Sequence, residues 1–210
     1  IRQLLVSSGV PAAKIAIIPD GIELPAELPP AEVRRRVRAA WGFGDREFVV
    51  GHVGAFTPEK GQDIALEAAL LLTEMLPQAR LALAGEGPLR AALRLEGKVG
   101  PAEGCVRLLG YVEELPEFFA ALDLFIMPSR AEGLGSSALL AMAHGLAVVA
   151  SRVGGLPEIV EEGSSGWLVP PDSPQALAQA IVAAASDRAR LSRFSANARA
   201  RARQFSSDIM

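Results

Sequence analysis

The stretch SRAEGLGSSALLAMAHGLAVVAS, residues 129–151, contains the residues best suited to chemistry. It places one acid, Glu132, directly before Gly-Leu-Gly-Ser-Ser, and a mostly apolar run follows the serines. An acid at the mouth of a glycine turn that opens a helix is typical of a small-molecule site. A carboxylate that only caps the helix would give a similar pattern, although Ser136 and Ser137 are better placed than Glu132 to act as caps.

Lys60 is a candidate partner for an anion at the same place. If a helix begins near Ser136, its first amides and the positive end of its dipole form an anion site. Lys60 lies in the loop GAFTPEKGQD, and a cation beside a helix N-terminus suits a diphosphate leaving group. The other interpretation is a surface lysine paired with Glu59.

A βα repeat must position these residues. Short runs that are apolar on both faces alternate with helical patterns from residue 47 onward, which predicts parallel strands covered by helices on each side. The expected fold class is α/β, with a doubly wound, Rossmann-like, mostly parallel six-stranded sheet. The predicted strands are 48–54, 80–85, 106–110, 124–129, 147–151 and 166–170. The predicted helices are 31–41, 62–76, 88–97, 115–122, 136–144, 156–162, 173–186 and 188–204.

The ends of the sequence indicate a piece of a longer protein, since the chain begins with Ile rather than Met. Residues 1–30 are predicted to be a linker that includes a strand at 15–19. Residues 31–204 are predicted to form the domain, and 205–210 a tail.

Glycine-rich loops follow the predicted strands. Ligands of open α/β sheets bind outside the carboxyl ends of the strands, and small residues there let a ligand approach the backbone amides. GEGPLR does not match the dinucleotide pattern G-x-G-x-x-G, and no G-x-x-x-x-G-K-[ST] occurs. The rim glycines that we single out are Gly54, Gly61, Gly85, Gly87, Gly110, Gly133, Gly135, Gly154 and Gly155.

Composition excludes several classes of function. A net charge of −3 gives no electrostatic footprint for nucleic acid, and we expect the arginines of RRRVR (34–38) and of 188–203 to lie on solvated helix faces. The single Cys105 excludes an intrachain disulfide, and two histidines provide no Cys/His metal cluster. This cysteine usage favours the cytoplasm. No apolar run is long enough to span a membrane.

The ordered motifs resemble the retaining glycosyltransferases of family 4, specifically the C-terminal, donor-binding half of their GT-B fold. The resemblance covers nearly the whole chain and is specific in order and spacing. It rests on IPDGIE, VGAFTPEKG, LAGEGP, LLGYV, MPSRAEGLGSSALLAMAHG, VVASRVGGLPEIV, GWLVPPDSPQALAQAI and FSSDIM.

The resemblance implies roles for the rim residues. Lys60 would hold the donor diphosphate, the GEGP and GYV loops would line the nucleoside pocket, and Glu132 would contact the transferred sugar as the first acid of an E-x7-E motif. Glu132 and Lys60 are thus the expected catalytic residues. The expected donor-binding residues are Gly54, Lys60, Gly85, Gly87, Tyr111, Val112, Gly133, Leu134, Gly135, Ser136, Ser137 and Leu140.

The sequence departs from the family pattern at two positions. The second acid of the motif, which would contact the ribose, is replaced by Leu140, about 6 Å or one helical turn beyond Ser136. An arginine that commonly follows the glycine of the first strand is replaced by Ala55. Both changes predict weaker donor binding.

The expected function is retaining, metal-independent transfer of a sugar from a UDP-, GDP- or ADP-sugar, with no cofactor. The acceptor, a glycan or lipid, would be held by an N-terminal domain absent from this sequence, so the fragment alone should be inactive. The resemblance is compatible with peripheral association at the inner face of the membrane. The alternatives are a degenerate nucleotide-binding or scaffolding domain without turnover and, less favoured, a dinucleotide-binding oxidoreductase domain.

Overall fold

The computed structural model describes residues 2–16, 21–95 and 104–207. Its strands are β1 (Phe48–Val53), β2 (Ala79–Ala84), β3 (Val106–Gly110), β4 (Leu124–Met127), β5 (Val148–Ser151) and β6 (Gly166–Val169). Its helices are α1 (Arg2–Ser7), α2 (Ala31–Ala40), α3 (Gln62–Met75), α4 (Leu89–Leu95), α5 (Leu115–Ala120), α6 (Ser136–Ala143), α7 (Leu156–Ile159), α8 (Pro174–Ser186) and α9 (Arg188–Ala202). All strand pairs are parallel, in the order β3-β2-β1-β4-β5-β6, which confirms the doubly wound sheet.

The strands bury both faces of the sheet because successive side chains point to opposite sides. In β4, Leu124 and Ile126 contribute to one apolar cluster, whereas Phe125 and Met127 contribute to the other. Helices α3 and α8 pack together over the first face, and α6 packs against α9 on the second. None of the helices in the described ranges combines the length and the apolarity that crossing a bilayer requires.

Most predicted boundaries lie within two residues of those in the structure, and a few differences have a physical reason. β4 ends at Met127 rather than at 129, because Pro128 has no N–H to donate to a ladder. α7 ends at Ile159 rather than at 162, since the backbone is already extended at Val160. Of the predicted strand at 15–19, residues 17–19 lie outside the described ranges, and 15–16 are not in a strand.

One residue of the predicted linker contacts the predicted tail. Ile22 donates its amide to the Phe205 carbonyl at 2.9 Å, and its own carbonyl accepts the Ser207 amide at 3.0 Å. The Ile22 side chain is buried in the second apolar cluster. The linker, domain and tail boundaries remain predictions.

The expectation that RRRVR lies on a solvated face is wrong for two of its arginines. Arg38 is fully buried and donates to Asp123 at 2.8 Å, while Arg34 donates to the other Asp123 oxygen at 2.7 Å. Asp123 also accepts the amide of Val49 at 2.8 Å, so this cluster joins α2 to the beginnings of β1 and β4. Burial alone would raise the pKa of Asp123, but the two guanidinium groups lower it below its ordinary value.

We expect Asp123→Ala to lower the free energy of unfolding by about 3–5 kcal/mol, because it leaves the buried Arg38 without its carboxylate. The measurement is urea denaturation. Arg36→Ala is the control, since Arg36 of α2 forms an exposed pair with Glu117 of α5, and its loss should cost no more than about 1 kcal/mol. Equal losses in the two variants would contradict the structural role of Asp123.

Candidate active site

The two candidate catalytic residues meet at the carboxyl ends of β1 and β4, where the strand order reverses and open α/β sheets bind ligands. Lys60 ends a short 3-10 turn, Pro58–Lys60, after β1. Its Nζ lies 3.0 Å and 2.8 Å from the two carboxylate oxygens of Glu132, in the loop after β4. The partner of Lys60 is therefore Glu132 rather than Glu59.

The Lys60–Glu132 pair is partly shielded from water. The Glu132 side chain is 10% exposed and that of Lys60 is 24% exposed. Ser129 donates a third hydrogen bond to Glu132 at 3.3 Å. An ammonium has three donors, so Lys60 keeps one for a further acceptor while both bonds to Glu132 stay in place.

Helix α6 begins at Ser136, as predicted, and no side chain caps it. Its N-cap is Gly135, with a φ of 91°, a conformation that favours glycine. The capping alternative is wrong for Glu132, and Ser136 and Ser137 do not cap the helix either. The first amides of an α-helix have no partner within the helix, so this end of α6 can bind an anion beside Lys60.

Backbone hydrogen bonds join neighbouring loops of this rim in two groups. The Phe56 amide donates to the Glu86 carbonyl at 2.8 Å, and the Gly85 amide to the Gly110 carbonyl at 2.7 Å. The Gly155 amide donates to the Gly133 carbonyl at 2.7 Å. These bonds connect the loops that follow β1, β2 and β3, and separately those after β4 and β5.

Several rim glycines have a packing role that the sequence did not indicate. A Cβ at Gly85 would lie 1.9 Å from the Gly54 carbonyl oxygen, and one at Gly87 would lie 2.4 Å from the Phe56 carbonyl oxygen. These glycines let loops approach each other. A Cβ at Gly133, by contrast, would meet nothing within 4 Å, so open space remains on that side of the Glu132 loop.

The remaining predicted donor-binding residues follow the same strand ends. Tyr111, just after β3, is 79% exposed, and the neighbouring Val112 is half-buried. Leu134 and Leu140 are half-buried and pack against the second apolar cluster. Leu140 lies one turn after the exposed Ser136, so the two residues share a face of α6.

The sequence did not predict a buried set of hydrogen bonds formed by His52 and Gln62, behind the Lys60–Glu132 pair. The His52 ring is fully buried in β1, and its Nδ1 lies 3.1 Å from the Ile126 carbonyl oxygen of β4. The Gln62 amide nitrogen lies 3.2 Å from His52 Nε2 and donates to the Ala55 carbonyl at 2.8 Å. The neutral ring therefore carries its proton on Nδ1 and accepts from Gln62 through Nε2. A lone histidine inside an apolar strand was the available signal.

Arg130, two residues before Glu132, was also missed. It binds Asp63 with two hydrogen bonds, at 2.9 Å and 2.8 Å, and contacts the loop that carries Lys60. Its place in a rim loop was visible in the sequence. Its partners were not, because Asp63 is 67 residues away.

The family model described as "Glycosyl transferases group 1" matches residues 47–187, a range that contains β1 to β6, Lys60 and Glu132. The chain belongs to this family. Membership confirms the resemblance inferred from the motifs. It also removes the support for the oxidoreductase alternative, which the strand order alone would not have excluded.

Curated relatives carry glycosyltransferase names. The chain is 36% identical over 189 residues to a GDP-mannose-dependent alpha-(1-6)-phosphatidylinositol monomannoside mannosyltransferase of Mycolicibacterium smegmatis, covering 86% of this chain and 49% of that protein. It is 32% identical over 189 residues to the amylovoran biosynthesis glycosyltransferase AmsK of Erwinia amylovora, covering 86% and 44%. The chain thus spans about half the length of these relatives.

A solved structure has the same fold. It is the Anabaena Alr3699/HepE protein in complex with UDP and glucose, with a TM-score of 0.91 and 28% sequence identity. The match covers 99% of this chain and 57% of that one. The comparison confirms the predicted fold class and does not favour a domain without turnover.

We expect the stability of the protein to fall as the pH drops from 6.5 to 4, because burial lowers the pKa of His52 to about 4. Between these pH values the unfolded chain binds a proton at His52 that the folded chain does not. The contribution of His52 to the free energy of unfolding is therefore complete above pH 6.5 and is lost as the pH falls towards 4. In this range His52 changes the free energy of unfolding by about 1.4 kcal/mol per pH unit. Urea denaturation at half-unit pH steps measures it.

The control for this pH dependence is His144, the other histidine, whose pKa is also lowered by partial burial. His52→Gln should remove most of the slope, since glutamine can keep both hydrogen bonds without titrating. His144→Gln should retain most of it. An undiminished slope in His52→Gln would show that other groups cause the pH dependence.

Proposed function

We propose that this chain forms the nucleotide-sugar-binding part of a glycosyltransferase that transfers the sugar with retention of configuration and without a divalent metal. The observation that carries the proposal is the contact between Lys60 and Glu132 beside the uncapped start of α6. A cation, a carboxylate and free amides at one point match the diphosphate and the hydroxyls of a nucleotide sugar.

The diphosphate would bind at the start of α6 and accept the third N–H of Lys60. As the bond between the anomeric carbon and the diphosphate breaks, negative charge grows on the departing oxygen. Lys60 and the helix amides are fixed before the reaction, so they stabilise that charge without reorganising. These groups supply the positive charge that a divalent metal would otherwise provide, which supports the metal-independent course.

Glu132 would accept hydrogen bonds from the hydroxyls of the transferred sugar. Its two oxygens already accept three hydrogen bonds, from Lys60 and Ser129, and this makes it a poor nucleophile. A covalent intermediate on Glu132 is therefore disfavoured. The acceptor hydroxyl would attack from the face that the diphosphate leaves, through a transition state with oxocarbenium character, and would pass its proton to the departing diphosphate oxygen.

The relatives support the donor classes that we propose. The Anabaena structure contains UDP and glucose, and the mycobacterial relative is named as GDP-mannose-dependent, so a UDP- or GDP-sugar is the favoured donor, with an ADP-sugar as the third choice. We propose that the acceptor is a glycan or a lipid bound by a separate N-terminal domain, with the full-length enzyme in the cytoplasm at the membrane face.

We expect Lys60→Ala to weaken nucleoside diphosphate binding about tenfold, because it removes a charge-assisted hydrogen bond worth about 1.5–3 kcal/mol. Calorimetric titration of the chain with UDP and with GDP measures the effect. Lys14→Ala is the matched control, since Lys14 is exposed on a separate 3-10 turn. Unchanged affinity in a Lys60→Ala protein that melts normally would exclude Lys60 from the diphosphate site.

We expect Leu140→Glu to strengthen ribonucleotide binding by up to about tenfold, because an ionised acceptor would face the ribose hydroxyls. The 2′,3′-dideoxy nucleotide should show no matching gain. Leu140→Gln has a similar shape without the charge and should gain less. Equal gains for the ribonucleotide and the dideoxy nucleotide would show that Leu140 does not face the ribose.

A further inference from the structure

Arg130 holds the short turn that carries Lys60. Its side chain donates to the Pro58 carbonyl at 2.7 Å, and its backbone amide donates to the Glu59 carbonyl at 2.8 Å. Both carbonyls that directly precede Lys60 are thus bound by one residue. That residue stands two positions before Glu132, so it links the two halves of the Lys60–Glu132 pair.

The same guanidinium binds the chain beyond Lys60. Its two terminal nitrogens pair with the Asp63 carboxylate in the first turn of α3, and its Nε donates to Asp172, after β6, at 2.5 Å. Arg130 therefore fixes the Lys60 turn on both sides. Although burial alone would raise it, the pKa of Asp63 is lowered by Arg130, so the carboxylate stays charged.

The geometry argues against direct ligand binding by Arg130. Four of its five N–H donors are used, and two carboxylates neutralise its charge, so little attraction is left for a phosphate. It does not replace the cation that is missing at Ala55. The Lys60 turn has no side-chain cap of its own, and a lysine side chain is flexible.

We propose that Arg130 is a positioning residue that holds the Lys60 ammonium against Glu132 and thereby raises the affinity for the diphosphate of a nucleotide sugar. The part that concerns affinity rests on the proposed function. The part that concerns Lys60 can be tested without any ligand, so the two can fail separately.

The first experiment measures how accessible Lys60 is to an amine-acylating reagent. Mass spectrometry gives the acylation rate of Lys60 relative to the exposed Lys14 in the same molecule. An ammonium held by two carboxylate oxygens must leave them to react, so Arg130→Gln should raise this ratio roughly threefold or more.

Two comparison variants sharpen this measurement. Asp63→Asn removes the carboxylate that binds Arg130 through two hydrogen bonds. It should raise the acylation ratio more than Asp172→Asn, because Asp172 accepts only one hydrogen bond from Arg130 and its side chain is 59% exposed. Arg152→Gln is the matched control, because Arg152 is an exposed arginine in the next rim loop, paired with Glu162, and should leave the ratio unchanged. If Arg130→Gln does not fold, Arg130→Lys replaces it, since lysine keeps the charge but lacks the planar fork.

The second experiment is a double-mutant cycle on UDP and GDP affinity, titrated to millimolar nucleotide. Arg130→Gln should weaken binding about fivefold in the otherwise unchanged chain and less than about twofold in the Lys60→Ala chain. A merely structural role would lower the melting temperature in both chains but would not give this dependence on Lys60.

An unchanged Lys60 ratio in folded Arg130→Gln overturns the proposal, whatever the nucleotide results. Independent, multiplying losses of affinity in the cycle overturn it as well, because they would mean that Arg130 contacts the ligand directly. A raised ratio with non-additive losses supports it. A raised ratio in a chain that binds neither UDP nor GDP supports the positioning of Lys60 and overturns the UDP- and GDP-sugar donors of the proposed function instead.

Discussion

The ion pair between Lys60 and Glu132 joins the two strands at which the sheet reverses its order. β1 and β4 are neighbours in the sheet, and the chain passes from them to helices on opposite faces, α3 and α6, which is where open α/β sheets bind ligands. A cation from one loop and a carboxylate from the other meet at this point. The site therefore depends on the register of two strands as much as on its own residues.

Two charged clusters fix that register from opposite ends of the same strands. At the amino ends, Asp123 binds Arg34, Arg38 and the Val49 amide. At the carboxyl ends, Lys60, Glu132 and Arg130 join the loops, and between them His52 of β1 contacts the Ile126 carbonyl of β4. The Asp123 cluster contains a fully buried arginine and serves the fold. The Lys60 cluster is partly exposed and retains unused donors, as a binding site requires.

Contacts between neighbouring loops hold the rim rigid, which would suit the charge stabilisation that we propose for this site. Donors that are already in place when negative charge develops need no reorganisation. Backbone hydrogen bonds between neighbouring loops provide this rigidity. Glycines contribute where the backbone of one loop packs against a carbonyl of the neighbouring loop. We propose that the Lys60 ammonium and the α6 amides bind the charge of the donor diphosphate. Leu140 presents an apolar side chain where the resemblance implies an acid, so the ribose hydroxyls would lack a charged acceptor.

The sequence by itself determined the order and type of the elements from β1 to α9, the doubly wound sheet, the start of α6 at Ser136 and the gathering of Lys60 and Glu132 at one rim. These follow from local signals: apolar runs of strand length, helical periodicity, and glycines after strands. Only the tertiary structure decided that Lys60 pairs with Glu132 rather than Glu59, that Arg38 is buried on Asp123, and that Arg130 binds Asp63. Those partners lie 72, 85 and 67 residues apart. Local spacing predicts which residues share a face or a loop, but a contact between distant residues also depends on which strands become neighbours, and no local pattern of side chains records that.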